Sequence, residues 1–344
     1  MTTQSNNPQL SAASGRVIKQ TQSQVWLRRF TVLAPLWTLI ALGLFFGLSS
    51  PSFLRERNLS NILIQISTLA IFGTGMTFVL LTGEIDLSIA AVAGLAGMIA
   101  AQLSLTSKSE EPIPTLVALG AATLLGLISG IASTRFRIPT FMMTLAMSLM
   151  AGGLNTFVSK GRTLTEIPAI PDFLGTARIG GEGGFPVIVL VGALTLALGH
   201  VVLRYTRFGR YVYMTGANKS AARLVGVNTD VIIMAVLTIC GFTAGLAGLV
   251  SMGRLGSAQP QGVDDFLINT IGAVVLGGTA LTGGRGGIPQ TVIGLLIYGT
   301  LRNGLDNMPW IDIYLKNFIT GVVLVVALVI NLLFSGKSDR DKTV

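Results

Sequence analysis

Charge is what this sequence has least of. Asp, Glu, Lys and Arg make up 11% of its 344 residues, where a soluble domain carries roughly 25%. So few charges cannot cover the surface of a soluble chain this long. Lipid is the solvent that suits it, in spans of about 20 apolar residues. Cysteine is nearly absent as well. Cys240 stands alone, which excludes an internal disulfide and a cysteine metal cluster. His200 is the single histidine, at the end of an apolar run, and a metal site needs several ligands. No metal and no cofactor is therefore expected, and no nucleophile–base pair points to catalysis. One string resembles a phosphate loop, Gly336-Lys337-Ser338. Asn331 stands where its earlier glycine belongs, and only six residues follow, too few for the helix that completes the cradle.

Apolar residues fill 51% of the chain and the mean hydropathy is +0.70. The 42 glycines fit membrane helices whose backbones approach closely. A net charge of +9 in a soluble protein would point to nucleic acid. Here no aromatic–basic platform accompanies it. It reads as loop charge that holds segments in the cytoplasm, and no nucleic-acid partner is expected.

The apolar runs predict an all-α integral membrane protein with about ten transmembrane helices, some of them short or broken. They are 31–49, 60–81, 86–104, 115–134, 140–158, 185–203, 231–252, 266–281, 288–302 and 313–334. The eighth and ninth are short and interrupted by glycine. The second and third form nearly one run. They divide at LTGEIDLS, because Glu84 and Asp86 would otherwise sit in lipid. Residues 31–334 are thus one membrane domain. Residues 1–30, rich in Gln, Ser, Thr and Asn, read as a disordered cytoplasmic segment and not as a signal peptide. Residues 335–344 read as a cytoplasmic tail. The outer loop 159–184, rich in Gly and Pro, is longer than a connector needs and reads as an exposed surface or a passive linker.

Cations test the orientation. With the N-terminus inside, fifteen Lys and Arg lie on the cytoplasmic side and eight opposite, with Lys316 inside the last span. That asymmetry is the one that sets topology, and both basic termini then share the cytoplasm.

Two turns stand out. In LTGEIDLS, Gly83 permits a tight reversal, and Asp86 and Ser88 offer oxygens to the free N–H groups of the next helix, beside Glu84. In LTGGRGGIP, Gly283, Gly284 and Arg285 precede Pro289 near a helix start. An offset of 200 aligns Leu81, Thr82, Gly83, Val92, Gly94 and Leu95 with identical residues. This is either an internal repeat, as transporters often have, or coincidence among small residues.

The densest cation cluster is Arg204, Arg207, Arg210, Lys219 and Arg223 in one loop. Within it Asn218 is a good N-cap, Ala221, Ala222, Arg223 and Leu224 favour helix, and Gly226 can end it. This short helix is either a charge anchor or a docking element for a soluble partner. Ala221 and Ala222 are small enough to let such a partner close over it. Inside the spans, Gln65, Asn155, Asn269 and Asn303 are candidates to line a passage, or else to bond between helices.

TGEIDLS, TRFGRYVYMTGANKSAARLVGVN, GSAQP, VVLGGTALTGGRGG and LRNGLDN together resemble the membrane permease subunit of ribose-type ABC importers, across about residues 60–331. The resemblance implies a second permease copy, a cytoplasmic ATP-binding subunit, and a periplasmic or extracellular sugar-binding protein. It places the protein in the bacterial inner membrane, moving a monosaccharide by alternating access while the partner hydrolyses ATP. It also implies that the segment around 217–226 is the coupling helix, flanked by Arg207, Gly209 and Arg210. Glu84 departs from the family, many of whose members have glycine there. The rivals are a related permease for branched-chain amino acids or nucleosides, and an ion-coupled transporter, which needs an acid deep in a span.

Overall fold

The computed structural model describes residues 34–107, 111–181, 183–260, 265–308, 310–312, 315–323, 325–326 and 329. The segments 1–30 and 335–344, the Gly336–Ser338 string and much of the expected last span lie outside these residues. The helices are α1 (Ala34–Ser49), α2 (Glu56–Leu81), α3 (Ile89–Ser107), α4 (Ile113–Arg135), α5 (Thr140–Ser159) and α6 (Ala169–Thr176). They continue with α7 (Val187–Tyr205), α8 (Arg207–Ala217), α9 (Lys219–Leu224), α10 (Thr229–Leu255), α11 (Asp265–Leu276) and α12 (Ile288–Asp306). Two-residue strands β1 (Arg178–Ile179) and β2 (Phe185–Pro186) pair antiparallel. Six helices, α2, α3, α4, α5, α7 and α10, are long and apolar enough to cross a membrane, and α1 and α11 are shorter apolar helices. The chain is an all-α, multi-pass membrane protein.

Local chemistry sets the breaks. α2 ends at Leu81 because Thr82 and Gly83 turn the chain, Gly83 at φ +77. The Thr82 hydroxyl donates to the Val79 carbonyl at 2.7 Å, which occupies one of the helix's last free acceptors. α11 stops at Leu276 and not at 281 as expected, because Gly277 and Gly278 follow, the latter at φ +109. Most described residues of the 159–184 segment are exposed, and it is more than a linker. It carries α6 and β1, which pairs with β2 just beyond it, and Leu164 bridges to Ala258.

α10 is the central post. It packs against α4, α2, α3 and α6. Small residues let it come close: a Cβ on Gly126 would lie 2.4 Å from the Leu237 carbonyl oxygen, and one on Gly241 would lie 2.5 Å from that of Ala122. Ala122, Gly126 and Gly130 recur every fourth residue, the spacing that brings membrane helices into backbone contact. α2 is buried from Ile66 to Leu81. α5 and α7 instead turn Leu149, Phe157, Leu194 and Leu198 outwards, as helices against lipid do.

Candidate functional site

The two turns meet each other. The Gly284 N–H donates to the Leu81 carbonyl at 2.9 Å. Gly83 and Gly283 both hold positive φ, +77 and +85, and a Cβ on Gly283 would come within 2.7 Å of the Gly83 nitrogen. The identities offset by 200 thus touch where they are densest. The helix pairs around them pack differently, however. α11 lies along α12, whereas α2 packs mainly on α10, α7, α12 and α11. Arg285 closes its own loop, its carbonyl accepting from the Ala280 N–H at 3.0 Å.

The basic loop rests on this contact. It contains two helices where one was expected. Thr206 caps α8, its hydroxyl oxygen accepting from the Gly209 N–H at 3.1 Å. Gly209 is buried against the end of α7, where a Cβ would meet the Leu203 carbonyl oxygen at 2.2 Å. Near the other end of α8, a Cβ on Gly216 would fall 1.8 Å from the Leu81 oxygen and 2.6 Å from the Gly284 nitrogen. The Tyr213 hydroxyl donates to the Gly286 carbonyl at 2.9 Å. Burial pushes the Tyr213 pKa up against the opposing pull of Arg204, so the phenol keeps its proton for that bond. Arg207 and Arg210 are exposed.

α9 is capped at both ends as its sequence predicts. Asn218 Oδ1 accepts from the Ala221 N–H at 2.9 Å. Gly226, at φ +85, donates to the Arg223 carbonyl, and Val227 donates to that of Ala222, both at 3.0 Å. That pair of bonds is the Schellman ending. One expectation fails. Ala222 does not offer itself to a partner; it is 2% exposed and packs inwards with Val227, the apolar contact that accompanies such an ending. Ala221 is exposed, and beyond it Leu224 and Val225 stand out at 88% and 67% exposure.

Two side chains, Lys219 and Arg223, tie α9 to the spans. Lys219 pairs with Glu84 Oε1, and Glu84 Oε2 accepts from the Thr140 hydroxyl at 2.6 Å at the start of α5. Arg223 donates through Nε to Thr229 Oγ1 and through Nη2 to Asp230 Oδ1, each at 2.7 Å, at the start of α10. Lys219, Arg223 and Glu84 line an open pocket of about 500 Å³ beside Arg137 and Thr140. Two residues after Glu84, Asp86 is buried at 2% exposure. Its Oδ1 accepts from the Ser88 N–H at 2.8 Å and from the Ser88 hydroxyl at 2.6 Å, with the Cys240 thiol alongside. Asp86 therefore holds the residue that opens α3, not the free N–H groups of the helix itself.

The polar candidates within the spans separate into two pairs. Asn155 is 2% exposed and donates to the Pro260 carbonyl at 2.9 Å. Asn303 Oδ1 accepts from Asn58 Nδ2 at 2.8 Å and Asn307 Nδ2 at 3.0 Å, a cluster joining α2 to α12. Asn155 thus fastens α5 to the loop after α10, though its Oδ1 is buried without a partner among the described residues, and Asn303 fastens α2 to α12. Gln65 and Asn269, by contrast, line one groove of about 490 Å³ between α2, α10, α11 and α12, with Arg254, Asp265, Tyr298 and Arg302. Sequence reasoning missed the Glu84–Lys219–Thr140 link, Tyr213, and the outward Leu224 and Val225. The apolar pair was visible as two large residues just before the glycine stop.

A family model described as the branched-chain amino acid transport system / permease component matches residues 58–328. The chain belongs to this permease family. Among individual relatives, it is 36% identical to the ribose import permease of Escherichia coli (strain K12) over 311 residues, covering 90% of this chain and 95% of that protein. The permease is 33% identical to the ribose import permease of Bacillus subtilis (strain 168), covering 87% of this chain and 92% of the other. It is 33% identical to the fructose import permease of Rhizobium meliloti, covering 86% and 82% respectively. The matched segment runs from α2 into the last helical residues and holds both turns, α8, α9 and the groove.

Proposed function

We propose that this permease is the membrane subunit of an ATP-driven importer that carries a neutral monosaccharide. One observation carries the reading: 36% identity to a ribose import permease along 95% of that protein. The family description names branched-chain amino acids, but relatives named for ribose, fructose and allose favour a sugar. In this reading residues 31–334 act as one permease domain in the bacterial inner membrane, with both termini in the cytoplasm. Two copies enclose the pathway, and a binding protein delivers sugar from the outer side. A separate ATP-binding subunit docks on α9. Its nucleotide state moves α9, and the ties from Lys219 and Arg223 pass that motion to the turn after α2 and to the starts of α5 and α10. ATP biases the two access states because its subunit contacts each differently.

Two measurements test this. The permease, its ATP-binding subunit and its binding protein, reconstituted in liposomes, take up ribose, fructose or allose when ATP is supplied to the nucleotide side. Uptake of leucine alone, or uptake driven by an ion gradient without ATP, overturns the reading. Orientation is tested in a Cys240→Ala background with single cysteines at Ser220 and Thr176, both exposed positions. An impermeant thiol reagent on intact cells labels position 176 and spares 220. The reverse pattern overturns the topology.

A further inference from the structure

The groove between α2, α10, α11 and α12 carries uncommitted hydrogen-bonding groups that a bare passage does not need. Gln65 Oε1 is buried and accepts no hydrogen bond from any described residue. Arg254, half-buried in the last turn of α10, has no ion pair or hydrogen bond among the described residues. Its backbone is fixed from behind, since a Cβ on Gly175 of α6 would lie 2.3 Å from the Arg254 nitrogen. Asn269 lines the same groove, and the Tyr298 and Phe266 rings form part of its wall. Phe266 is itself braced by stacking on Phe72, centroids 5.3 Å apart.

Depth sharpens the point. Gln65 lies about 14 Å along α2 from Glu56, at 1.5 Å per residue. Polar groups at that depth are not left facing lipid; they line a watered space or meet a ligand. A guanidinium that only donates, a carbonyl that only accepts and an amide that does both suit a polyol, whose hydroxyls do both. Asp265 and Asp306 stand among the guanidiniums of Arg254 and Arg302, and Asp306 also pairs with Lys316 at 3.3 Å, so the polar lining is one of mixed donors and acceptors and not of a single charge. A volume of about 490 Å³ falls within the range of small-molecule sites.

We infer that this groove is a sugar-binding subsite of the permease itself, with Gln65, Arg254 and Asn269 meeting the hydroxyls and Tyr298 flanking the ring. The inference rests on the importer reading only for the choice of sugar.

The test uses the complete transporter with Cys240→Ala and Ile268→Cys, which sets a thiol on the exposed edge of the groove and leaves its amides intact. Saturating ribose, fructose or allose, whichever is transported, slows maleimide labelling of position 268 about fivefold without the binding protein, as simple occupancy predicts. Gln65→Leu, or Asn269→Ala, raises the half-protecting concentration about fivefold, the effect of one lost hydrogen bond. Gln65→Met, similar in size and without an acceptor oxygen, replaces the Leu variant if that one fails to insert, and gives a rise of the same sense. Absent protection, or protection unmoved by these variants, overturns the subsite. Import without protection leaves the importer reading standing and removes only the subsite. Protection without ATP-driven import does the opposite.

Discussion

Lys219, the first residue of α9, forms an ion pair with Glu84 in the turn after α2, 135 residues away in sequence. The other Glu84 oxygen accepts from Thr140 at the start of α5. One carboxylate therefore joins a surface helix to the ends of two membrane spans. The pair is half-exposed on the lysine side and mostly covered on the glutamate side, 45% and 13%. Its worth is that of a partly screened bridge, about 1 kcal/mol.

That linkage yields a double-mutant test. Glu84→Gln and Lys219→Gln each lower uptake per ATP hydrolysed, and the double variant is no worse than either single one. The coupling energy is about 1 kcal/mol. Exchanging the residues, Glu84→Lys with Lys219→Glu, restores part of the coupling, because Thr140 keeps a neighbour but the donor geometry changes. Thr140→Val weakens the link without removing charge. Fully additive single effects on transport would show that α9 transmits motion by another path.

Docking on α9 separates two neighbouring residues. Ala222 is buried within the permease and Leu224 is exposed. Leu224→Asp leaves the permease folded and reduces its co-purification with the ATP-binding subunit, and Val225→Asp does the same more weakly. Ala222→Asp instead buries an unpaired carboxylate in the permease's own packing. It costs several kcal/mol and reduces yield of the protein before any question of partners arises. Thermal stability in detergent, measured beside co-purification, distinguishes the two effects. A stable Leu224→Asp permease that retains its ATP-binding subunit in full contradicts docking at this helix.

Six of the ten expected spans stand as helices long and apolar enough to cross a membrane, legible because apolar runs of that length have few alternatives; the caps of α9 were legible because Asn218 and Gly226 act within one turn of the chain. The break at LTGEIDLS followed from the cost of two carboxylates in lipid. What sequence left open depends on contacts far apart in the chain. Nothing local says that Glu84 meets Lys219, or that Ala222 turns inwards while Leu224 turns out; the docking of α8 on both turns decides it. Asn155 and Asn303 have the same composition signal as Gln65 and Asn269. Their partners, Pro260 and the Asn58–Asn307 cluster, mark them as fasteners, although Asn155 keeps a buried Oδ1 without a partner among the described residues, as Gln65 keeps its Oε1.

Gly216 is the position where packing of the junction is least forgiving. A Cβ there would lie 1.8 Å from the Leu81 oxygen and 2.6 Å from the Gly284 nitrogen, and both of those neighbours are backbone atoms, so no side chain can rotate away. Gly216→Ala lowers the stability of the permease by about 1–3 kcal/mol, the cost of overpacking, and cuts transport as α8 lifts from the turns. Gly152 in α5 has open space around it. Gly152→Ala is neutral or stabilises by about 0.5–1 kcal/mol through helix propensity. Equal melting temperatures for the two variants would mean that α8 does not bear on Leu81.

Asp86 tests whether a buried carboxylate is there for its charge or for its oxygen. Asp86 accepts two hydrogen bonds from Ser88, one from the backbone N–H and one from the hydroxyl, and both reach Oδ1. An asparagine carbonyl can accept the same two bonds. Asp86→Ala leaves the Ser88 N–H buried without its partner, at a cost of about 1–3 kcal/mol. Ser88→Ala removes only the hydroxyl bond, worth about 1 kcal/mol. Asp86→Asn keeps both acceptor bonds and relieves the burial of a charge, so its melting temperature stays nearest the unaltered permease. The expected order of damage is Asp86→Ala, then Ser88→Ala, then Asp86→Asn, in detergent stability and in ATP-driven uptake alike. If Asp86→Asn is as stable as the unaltered protein yet transports as poorly as Asp86→Ala, the negative charge serves the transport cycle, and the turn does more than open α3.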